Sequence, residues 1–264
     1  MVLLDGASLS QQLLSDLTSE IKNRKLKIKL AIILVGDDPP SLKYTHLKQQ
    51  RAREIGIDCQ LHHLSGDVSQ ANLLALVNQL NSDSTINGIM IQLPLPPYLD
   101  KRSILDSIAP SKDIDGLTVG SPFVPATPLG VVRLLEKHRI GFAGKNIVII
   151  NDSLLIGQPL KKLFEDGGGI VTLCNDQTVD LPSVTQTADI LISATGVKHL
   201  ITPDHVKSGA VVIDIGGGDV DFQEVKDKCS FITPTFGGVG PMTIASLLTN
   251  LVSTCGKLSY GPAS

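Results

Sequence analysis

Three side chains that could move a proton fall on one face of a predicted helix. Ser41, Tyr44 and Lys48 stand at positions i, i+3 and i+7 of a helix expected over residues 41–55. A tyrosine and a lysine one turn apart can form a hydrogen-bonded pair, and burial would lower the lysine pKa toward general acid–base use. The plainer interpretation, which the spacing alone favours, is that Ser41 caps the helix and that the other two side chains share a solvated face with Arg51.

Polar side chains also stand where a predicted strand or a turn ends. Gln92 lies near the end of a strand expected over residues 88–93, which is where open α/β sheets bind ligands, although a solvated amide explains it equally well. Asp113 and Asp115 flank Ile114 in a turn. One of the two carboxylates could face a ligand, but turn formation by aspartate explains both without any function.

A glycine-rich stretch near the carboxyl end is a third candidate. Residues 233–243 contain three glycines and two prolines, which predicts a fixed loop between a short strand over 230–233 and a helix beginning at Thr243. A strand, a glycine turn and a helix N-terminus together form a site where backbone N–H groups can face a ligand. An ordinary tight connection explains the stretch equally well.

Residues 144–215 are predicted to form a small doubly wound unit, of the kind that holds a nucleotide at the carboxyl ends of its strands. Ser153 is a suitable N-cap for a helix over 155–164, whose N-terminus could hold a phosphate. Asp176 follows the next strand, near the place where an acidic residue binds a ribose 2′-hydroxyl. The usual G-x-G-x-x-G fingerprint is missing, so this signal is weak by itself.

Strands and helices that alternate along the chain must position these residues. Apolar periodicity predicts helices over 7–24, 41–55, 70–80, 101–108, 128–137, 155–164 and 243–251. It predicts strands over 30–35, 59–64, 88–93, 144–150, 169–174, 189–193, 210–215 and 230–233. The fold class is therefore α/β, with parallel sheets covered by helices and enough residues for two lobes.

Composition excludes several classes of protein. The 264 residues are 42% hydrophobic and 19% charged, as in a globular protein with a large core. A net charge of −3 and the absence of tryptophan argue against a nucleic-acid partner, and no apolar run is long enough to span a membrane. The four cysteines form no C-x-x-C pair, so we expect no disulfide framework and no metal site, and a cytoplasmic location.

In their order along the chain, these residues and several short motifs closely resemble the methylenetetrahydrofolate dehydrogenase/cyclohydrolase family. The matching positions are 35–41, Tyr44, Lys48, 92–96, 112–116, 127–128, Ser153, Gly157, Pro159, 212–216 and 237–243. Any one of them is a weak signal, but the ordered set is specific and extends almost from end to end. The resemblance implies two α/β lobes with a cleft between them, usually in a homodimer. It assigns residues 1–120, completed by a C-terminal helix over 240–264, to folate binding and catalysis, and residues 121–239 to a Rossmann-like nucleotide-binding lobe.

The resemblance also implies roles for single residues. Lys48 matches the essential lysine, Tyr44 and Gln92 assist it, and Asp115 matches the acid that binds N–H groups of the pterin. Further residues on the folate side would be Ser41, Ile91, Leu93, Phe236, Gly237, Gly238, Val239, Gly240, Pro241, Met242 and Thr243. The nucleotide side would contain Asn151, Asp152, Ser153, Gly157, Asp176 and Gly217.

The reaction implied has two steps on tetrahydrofolate derivatives. A hydride passes from 5,10-methylenetetrahydrofolate to NADP or NAD, and water then converts the methenyl product to 10-formyltetrahydrofolate. A lysine with a movable proton suits the second step. NADP is the usual cofactor of the family.

The chain departs from the family pattern mainly on the nucleotide side. Asn151 and Asp152 replace a usual Gly-Arg pair, whose arginine binds the 2′-phosphate of NADP, and Asp176 replaces a small hydroxyl residue. Both changes favour NAD, or a weakened dinucleotide site. The segment 215–221 is about ten residues shorter than usual, and Phe236 replaces a proline. The alternative is therefore a folate-binding paralogue with weakened or lost nucleotide binding. A non-folate oxidoreductase on the same two-lobe plan would have no reason to keep both Tyr44 with Lys48 and the glycine loop.

Overall fold

The computed structural model describes residues 1–256 and 258, and the chain divides into two compact units. The three-stranded unit contains Gln12–Ala126 and the chain from Ile244 onward. The six-stranded unit contains Met1–Gln11 and Thr127–Thr243. These bounds differ from the expected lobes because the first residues of the chain join the sheet of the six-stranded unit. Residues 257 and 259–264 of the expected helix over 240–264 lie outside the described residues.

Helices and strands alternate through both units, as the sequence predicts. The helices are α1 (Gly6–Asn23), α2 (Pro39–Glu54), α3 (Gln70–Ser82), α4 (Lys101–Asp106), α5 (Ala126–Lys137), α6 (Gly157–Asp166), α7 (Leu181–Thr185), α8 (Phe222–Val225) and α9 (Val239–Ser253). The strands are β1 (Val2–Leu3), β2 (Lys29–Val35), β3 (Asp58–Leu64), β4 (Gly88–Ile91), β5 (Asn146–Ile150), β6 (Ile170–Cys174), β7 (Ile190–Ser193), β8 (Val211–Asp214) and β9 (Phe231–Ile232). Each predicted element has a counterpart, whereas β1, α7 and α8 had no prediction.

The sheet of the three-stranded unit is parallel, in the order β3-β2-β4. Six of the seven residues of the central strand β2 are buried, which is why its sequence is an almost continuous apolar run. Helix α2 follows β2, and its N-cap is Asp38, whose carboxylate accepts from the Ser41 backbone N–H at 2.9 Å. The expected cap at Ser41 is therefore wrong. Pro39 and Pro40 fit the first turn because backbone N–H groups there have no partner in the helix.

The sheet of the six-stranded unit is also parallel, in the order β1-β9-β8-β7-β5-β6. From β5 the chain adds β6 on one side of the sheet and β7 on the other. The turns after β5 and β7 therefore stand at a topological switch point, where α/β sheets of this kind bind nucleotides. Strand β1 pairs with β9 through Val2–Phe231 and Leu3–Ile232.

Two predicted helix starts are wrong. Helix α9 begins at Val239, so Gly240 and Pro241 belong to its first turn, where glycine and proline remove no intrahelical hydrogen bond. Helix α6 begins at Gly157 without a side-chain cap, and the Ser153 hydroxyl instead accepts from the Ile156 backbone N–H at 3.2 Å. Ser153 thus belongs to an additional turn before the helix.

Each unit has an apolar core of its own. In the three-stranded unit Leu17 and Ile32 pack with Leu247 and Leu248 of α9. In the six-stranded unit the core gathers apolar residues of β5, β7, β8 and β9. Across the described residues, no helix combines the length and the apolar character required to span a membrane. The four cysteines are free thiols.

Candidate active site

Lys48 is buried on α2, although the spacing alone favoured a solvated face. Only 7% of its surface is exposed, and its Nζ donates to Oε1 of Gln92 at 3.1 Å. The same Nζ stands 5.5 Å from the centroid of the Tyr44 ring, a distance typical of a cation–π contact. Tyr44 keeps 37% of its surface exposed. The structure therefore gathers the lysine, the tyrosine and the glutamine that the sequence singled out.

Gln92 is fixed from three sides at the end of β4. Its backbone N–H donates to the Ile33 carbonyl of the central strand at 2.8 Å, which continues the ladder by one residue. Its Nε2 donates to the Leu93 carbonyl at 2.6 Å, so Oε1 is left to accept from Lys48. Ile91, one residue earlier, is buried in the strand. The sheet thus aims the glutamine amide at the lysine.

The two aspartates of the turn after α4 have different surroundings. The carboxylate of Asp113 is 1% exposed and accepts from the backbone N–H groups of Gly116 at 3.1 Å and Thr118 at 2.7 Å. Asp113 also bridges to Ile89 of β4, which places the turn beside that strand. The carboxylate of Asp115, by contrast, accepts no hydrogen bond from any residue that the structure describes. Asp113 forms the turn, and Asp115 is the carboxylate left for a ligand.

Burial controls the protonation of this cluster. Burial lowers the pKa of the Lys48 ammonium, and the nearby Asp115 carboxylate opposes part of that shift. Burial raises the pKa of Asp115, and Lys48 opposes that shift in turn. The pKa of the Tyr44 hydroxyl is also raised by burial. A lysine whose ammonium is destabilised releases its proton more readily than an exposed lysine, so Lys48 can exchange a proton with a bound substrate or water.

Ser41 has a structural role at the start of the same helix. It is 4% exposed, and its hydroxyl donates to the Asp38 carboxylate at 2.6 Å. Asp38 therefore holds both the backbone N–H and the hydroxyl of Ser41. This fixes the first turn of α2, from which Tyr44 and Lys48 extend on the following turns.

The glycine-rich segment of the six-stranded unit joins β9 to α9. Gly237 has φ +84°, a conformation that other residues adopt at a cost, and its carbonyl accepts from the Ala7 backbone N–H at 2.8 Å. Within this unit Val239 and Met242 are buried at 2% and 0% exposure, so their side chains belong to the core. The Phe236 side chain is instead 86% exposed. Of these residues, Phe236 has the side chain most available to a ligand.

Asn151 organises the turn between β5 and α6. Its Nδ2 donates to the Ala194 carbonyl at 2.8 Å, which ties the ends of β5 and β7 together at the switch point. Its Oδ1 accepts from the backbone N–H groups of Ser153 at 2.9 Å and Gly157 at 3.1 Å. A Cβ at Gly157 would collide with the Asn151 carbonyl, so only glycine lets the helix start this close to the strand. The turn is therefore built for close backbone approach.

Two exposed carboxylates stand at the ends of β5 and β6. Asp152 accepts a hydrogen bond from Nδ2 of Asn175 at 2.9 Å, and Asp176 is the next residue along the chain. Asn175 is a further candidate residue without a sequence prediction, although its place directly after β6 was a usable signal. Asp152 points toward the end of β6 and does not form the Asx turn, which belongs to Asn151.

The shortened segment after β8 is held by two buried carboxylates. Asp214 accepts from the backbone N–H groups of Gly217 at 2.8 Å and Gly218 at 2.9 Å, and burial raises its pKa. Asp219 accepts from the Ser193 hydroxyl at 2.7 Å and the Thr195 backbone N–H at 2.7 Å, which joins the segment to the end of β7. The short segment is therefore a defined turn at the nucleotide-binding end of the sheet.

Comparison with known families gives a match over most of the chain. The model of the tetrahydrofolate dehydrogenase/cyclohydrolase catalytic domain matches residues 4–115, and the model of the NAD(P)-binding domain of the same family matches residues 125–258. The chain belongs to the tetrahydrofolate dehydrogenase/cyclohydrolase family. The resemblance seen in its motifs is thereby confirmed, and so is the two-domain α/β fold class.

Individual members of the family align over nearly the whole chain. The bifunctional protein FolD of Campylobacter jejuni (strain RM1221) is 43% identical, and the alignment covers 96% of this chain and 98% of that protein. The crystal structure of the C. jejuni bifunctional enzyme has a TM-score of 0.92 at 42% identity, covering 96% and 98% of the two chains. A Trypanosoma brucei enzyme of the family, complexed with NADP and an inhibitor, has a TM-score of 0.92 at 30% identity, covering 96% and 97%.

Proposed function

We propose that this protein oxidises 5,10-methylenetetrahydrofolate with a nicotinamide dinucleotide and hydrolyses the methenyl product to 10-formyltetrahydrofolate. The observation that carries the proposal is the buried Lys48, hydrogen-bonded to Gln92 at 3.1 Å and lying near Tyr44 and Asp115. These are the four residues to which the family resemblance assigns catalysis. The relatives that are named bifunctional support the same pair of activities.

Lys48 serves the hydrolytic step as the group that moves a proton. Because burial lowers its pKa, Lys48 forms the neutral amine more readily than an exposed lysine does, and this amine can accept a proton from the attacking water. Gln92 keeps Nζ in place, since its own Nε2 is held by the Leu93 carbonyl. That proton then passes to the folate nitrogen whose bond to the one-carbon bridge breaks, and Lys48 returns to its first state. The second proton of the water is released to solvent as the formyl C=O forms.

Asp115 anchors the substrate in this proposal. A carboxylate without a protein donor can accept two N–H groups from a pterin ring, and such paired bonds fix both position and orientation. The raised pKa of Asp115 reflects the cost of its burial, which a ligand donating two hydrogen bonds would offset. Phe236, which is 86% exposed beside Gly237 where the family usually has proline, stays a predicted folate contact.

The residues of the switch point fit a dinucleotide. The glycine at position 157 permits the close approach of α6 to β5, and Asn151 holds the turn through its amide. When bound, the nicotinamide accepts the hydride from the one-carbon bridge. The turn after β8, fixed by Asp214, would lie beside that ring, with Gly217 leaving space for it.

We further propose that NAD is preferred over NADP by at least about tenfold, equivalent to about 1.4 kcal/mol. Asp152 and Asp176 put two exposed carboxylates where the family uses an arginine and a small hydroxyl residue. A 2′-phosphate would be repelled there, whereas a carboxylate accepts hydrogen bonds from ribose hydroxyls. The hydrogen bond from Asn175 holds the Asp152 carboxylate at the end of β6, which supports the proposal.

An oxidation assay and a hydrolysis assay together test both proposals. Purified protein is assayed for methylenetetrahydrofolate oxidation at the methenyl absorbance, with NAD and NADP each varied over a wide range, and separately for hydrolysis of added methenyltetrahydrofolate. Turnover in both assays supports the bifunctional activity, and a lower KM for NADP would sink the NAD preference. Hydrolysis without reduction of either dinucleotide would favour a folate-binding paralogue that lacks redox activity. The expected homodimer stays a prediction for sedimentation analysis.

A further inference from the structure

The six-stranded unit contains a cavity at the edge of its sheet where the strands begin. Its volume is about 320 Å³, at the small end of the roughly 300–1,000 Å³ range of ligand pockets. The residues around it precede or open β5, β7, β8 and β9, and they include His138, Arg139, Lys145, Asp189, Lys207 and Phe231. The nucleotide-binding turns follow the opposite ends of the same strands. The cavity therefore belongs to neither of the sites described above.

Positive charge exceeds negative charge in the lining of this cavity. Lys207 Nζ stands 2.7 Å from Oδ1 of Asp189, and Oδ2 of Asp189 accepts from the Asn146 backbone N–H at 3.0 Å, so each oxygen of this carboxylate has a partner. The charge of Lys145 contributes, after these bonds, to lowering the pKa of Asp189. Arg139 and Lys145 form no ion pair and no side-chain hydrogen bond with any described residue. Among the arginine, lysine and aspartate side chains of the lining, an excess of two positive charges remains, on a protein whose net charge is −3.

Arg139 occupies a backbone position that usually requires glycine. Its φ is +55°, directly after α5, where its N–H donates to the Glu136 carbonyl at 2.9 Å. The N–H of Ile140 donates to the Leu135 carbonyl at 2.9 Å, which completes a Schellman motif with Arg139 at the left-handed position. An arginine is less stable there than glycine. Lys25 ends helix α1 in the same way, so the conformation alone assigns no function; what distinguishes Arg139 is that it lines the cavity.

Two features oppose anion binding, and both are weaker than the excess charge. The carboxyl end of α5 contributes about half a negative charge, and its last carbonyls are already bonded within the Schellman motif. The Asp5 carboxylate lies near His138, but it is not part of the cavity lining, and it accepts from the backbone N–H of Ser8 at 3.0 Å and from its hydroxyl at 2.6 Å.

We propose that this cavity binds a phosphate dianion, either free or as the head group of a small phosphomonoester. Arg139 provides a planar fork for two phosphate oxygens, and Lys145 provides a second cation. Lys207, positioned by Asp189, adds a third charge at the rim. Ile140, Ile190 and Val211 give the cavity apolar walls that suit the body of an ester.

The test measures binding of inorganic phosphate and of glycerol 3-phosphate by calorimetry at low ionic strength, with amide shifts to locate each probe. Saturable binding of either probe with shifts at Gly141 and Gly209 supports the proposal. Binding of glycerol 3-phosphate without binding of inorganic phosphate would identify the ligand as a phosphomonoester. Arg139→Asn, which tolerates the backbone conformation, and Lys145→Gln should each weaken binding at least about fivefold. Lys22→Gln, an equal change of charge in the other unit, should leave binding unchanged.

Three results would overturn the proposal: no saturable binding at millimolar probe, shifts at Gly157 without shifts at Gly141, or unchanged affinity in Arg139→Asn. Arg139→Gly provides a control for folding. Because glycine relieves the backbone strain, this variant should melt higher by roughly 1–3 °C while losing phosphate binding. If this more stable variant still binds phosphate with the wild-type affinity, the Arg139 side chain does not contribute to binding.

Discussion

The carboxylates of this protein lie in two contrasting environments. Asp115 lies near the buried Lys48, where burial raises the carboxyl pKa and lowers that of the lysine. Asp152 and Asp176 are exposed at the ends of β5 and β6, where Asn175 donates to one of them. Charges interact more strongly where water is excluded, and exposed charges are screened by salt. Substitutions in the buried cluster should therefore have larger effects than substitutions at the exposed edge.

The largest effect is expected from Lys48→Met. Removing a general acid–base group typically lowers a rate by about 10² to 10⁴, so methenyltetrahydrofolate hydrolysis should fall by that factor with the fold intact. Lys43→Met is the matched control, since Lys43 is exposed on the same helix, and it should keep full activity. Stopped-flow measurement of the loss of methenyl absorbance gives both rates. Hydrolysis at the wild-type rate in Lys48→Met would show that the lysine is not catalytic.

Asp115→Ala should have the next largest effect. Leaving two pterin N–H donors unpaired costs about 1–3 kcal/mol, so folate affinity should fall by roughly 5- to 150-fold while dinucleotide affinity stays within about twofold. Fluorescence titrations with each ligand separately measure the two affinities. Equal losses for both ligands would instead indicate that Asp115 supports the fold, as Asp113 does through Gly116 and Thr118.

Asp152→Ser should change the cofactor preference moderately. Removing one exposed carboxylate reduces the repulsion of a 2′-phosphate, so the ratio of kcat/KM for NAD to that for NADP should fall by about three- to tenfold. The ratio in the unaltered protein should also shrink as salt is added, because the charges are screened. A ratio unaffected by both the substitution and salt would mean that Asp152 does not face the 2′ position.

The last prediction concerns the pH dependence of hydrolysis, where the expected effect is a shift in pH and not a loss of rate or affinity. Because burial lowers the pKa of Lys48 below the ordinary 10.5, the neutral amine forms earlier, and the rate should rise with pH through an inflection below that value. The Asp115 carboxylate raises the pKa of Lys48, so Asp115→Asn should move the inflection of kcat to lower pH. A shift of the inflection to higher pH, or no shift, would show that the Asp115 carboxylate does not raise the pKa of the group that controls hydrolysis.

The buried cluster could be predicted from sequence only in part. Spacing placed Ser41, Tyr44 and Lys48 on one face of α2, but spacing does not state which face is covered, so the solvated alternative was favoured. Likewise, Asp113 and Asp115 both suit a turn, and only the backbone donors at Gly116 and Thr118 distinguish the turn former from the free carboxylate. Burial and hydrogen-bond partners depend on distant segments, which local patterns do not contain.

Element types were predicted better than element ends. Apolar runs such as that of β2 identify buried parallel strands because no other element has that pattern and length. The start of α9 was predicted too late, because glycine and proline break the middle of a helix but not its first turn. Strand β1 had no local signal, since its two residues form a strand only by pairing with β9.

The pairing of β1 with β9 also affects how the chain can fold during synthesis. Leu3 is translated long before its partner Ile232. The three-stranded unit likewise takes part of its core from α9, whose Leu247 and Leu248 follow still later. Neither unit can be completed until most of the chain has been translated, so nascent chains expose apolar surface for longer than a protein with two consecutive domains. A premature stop before Phe231 would leave both units unfinished and make the fragment a target for chaperones and proteases.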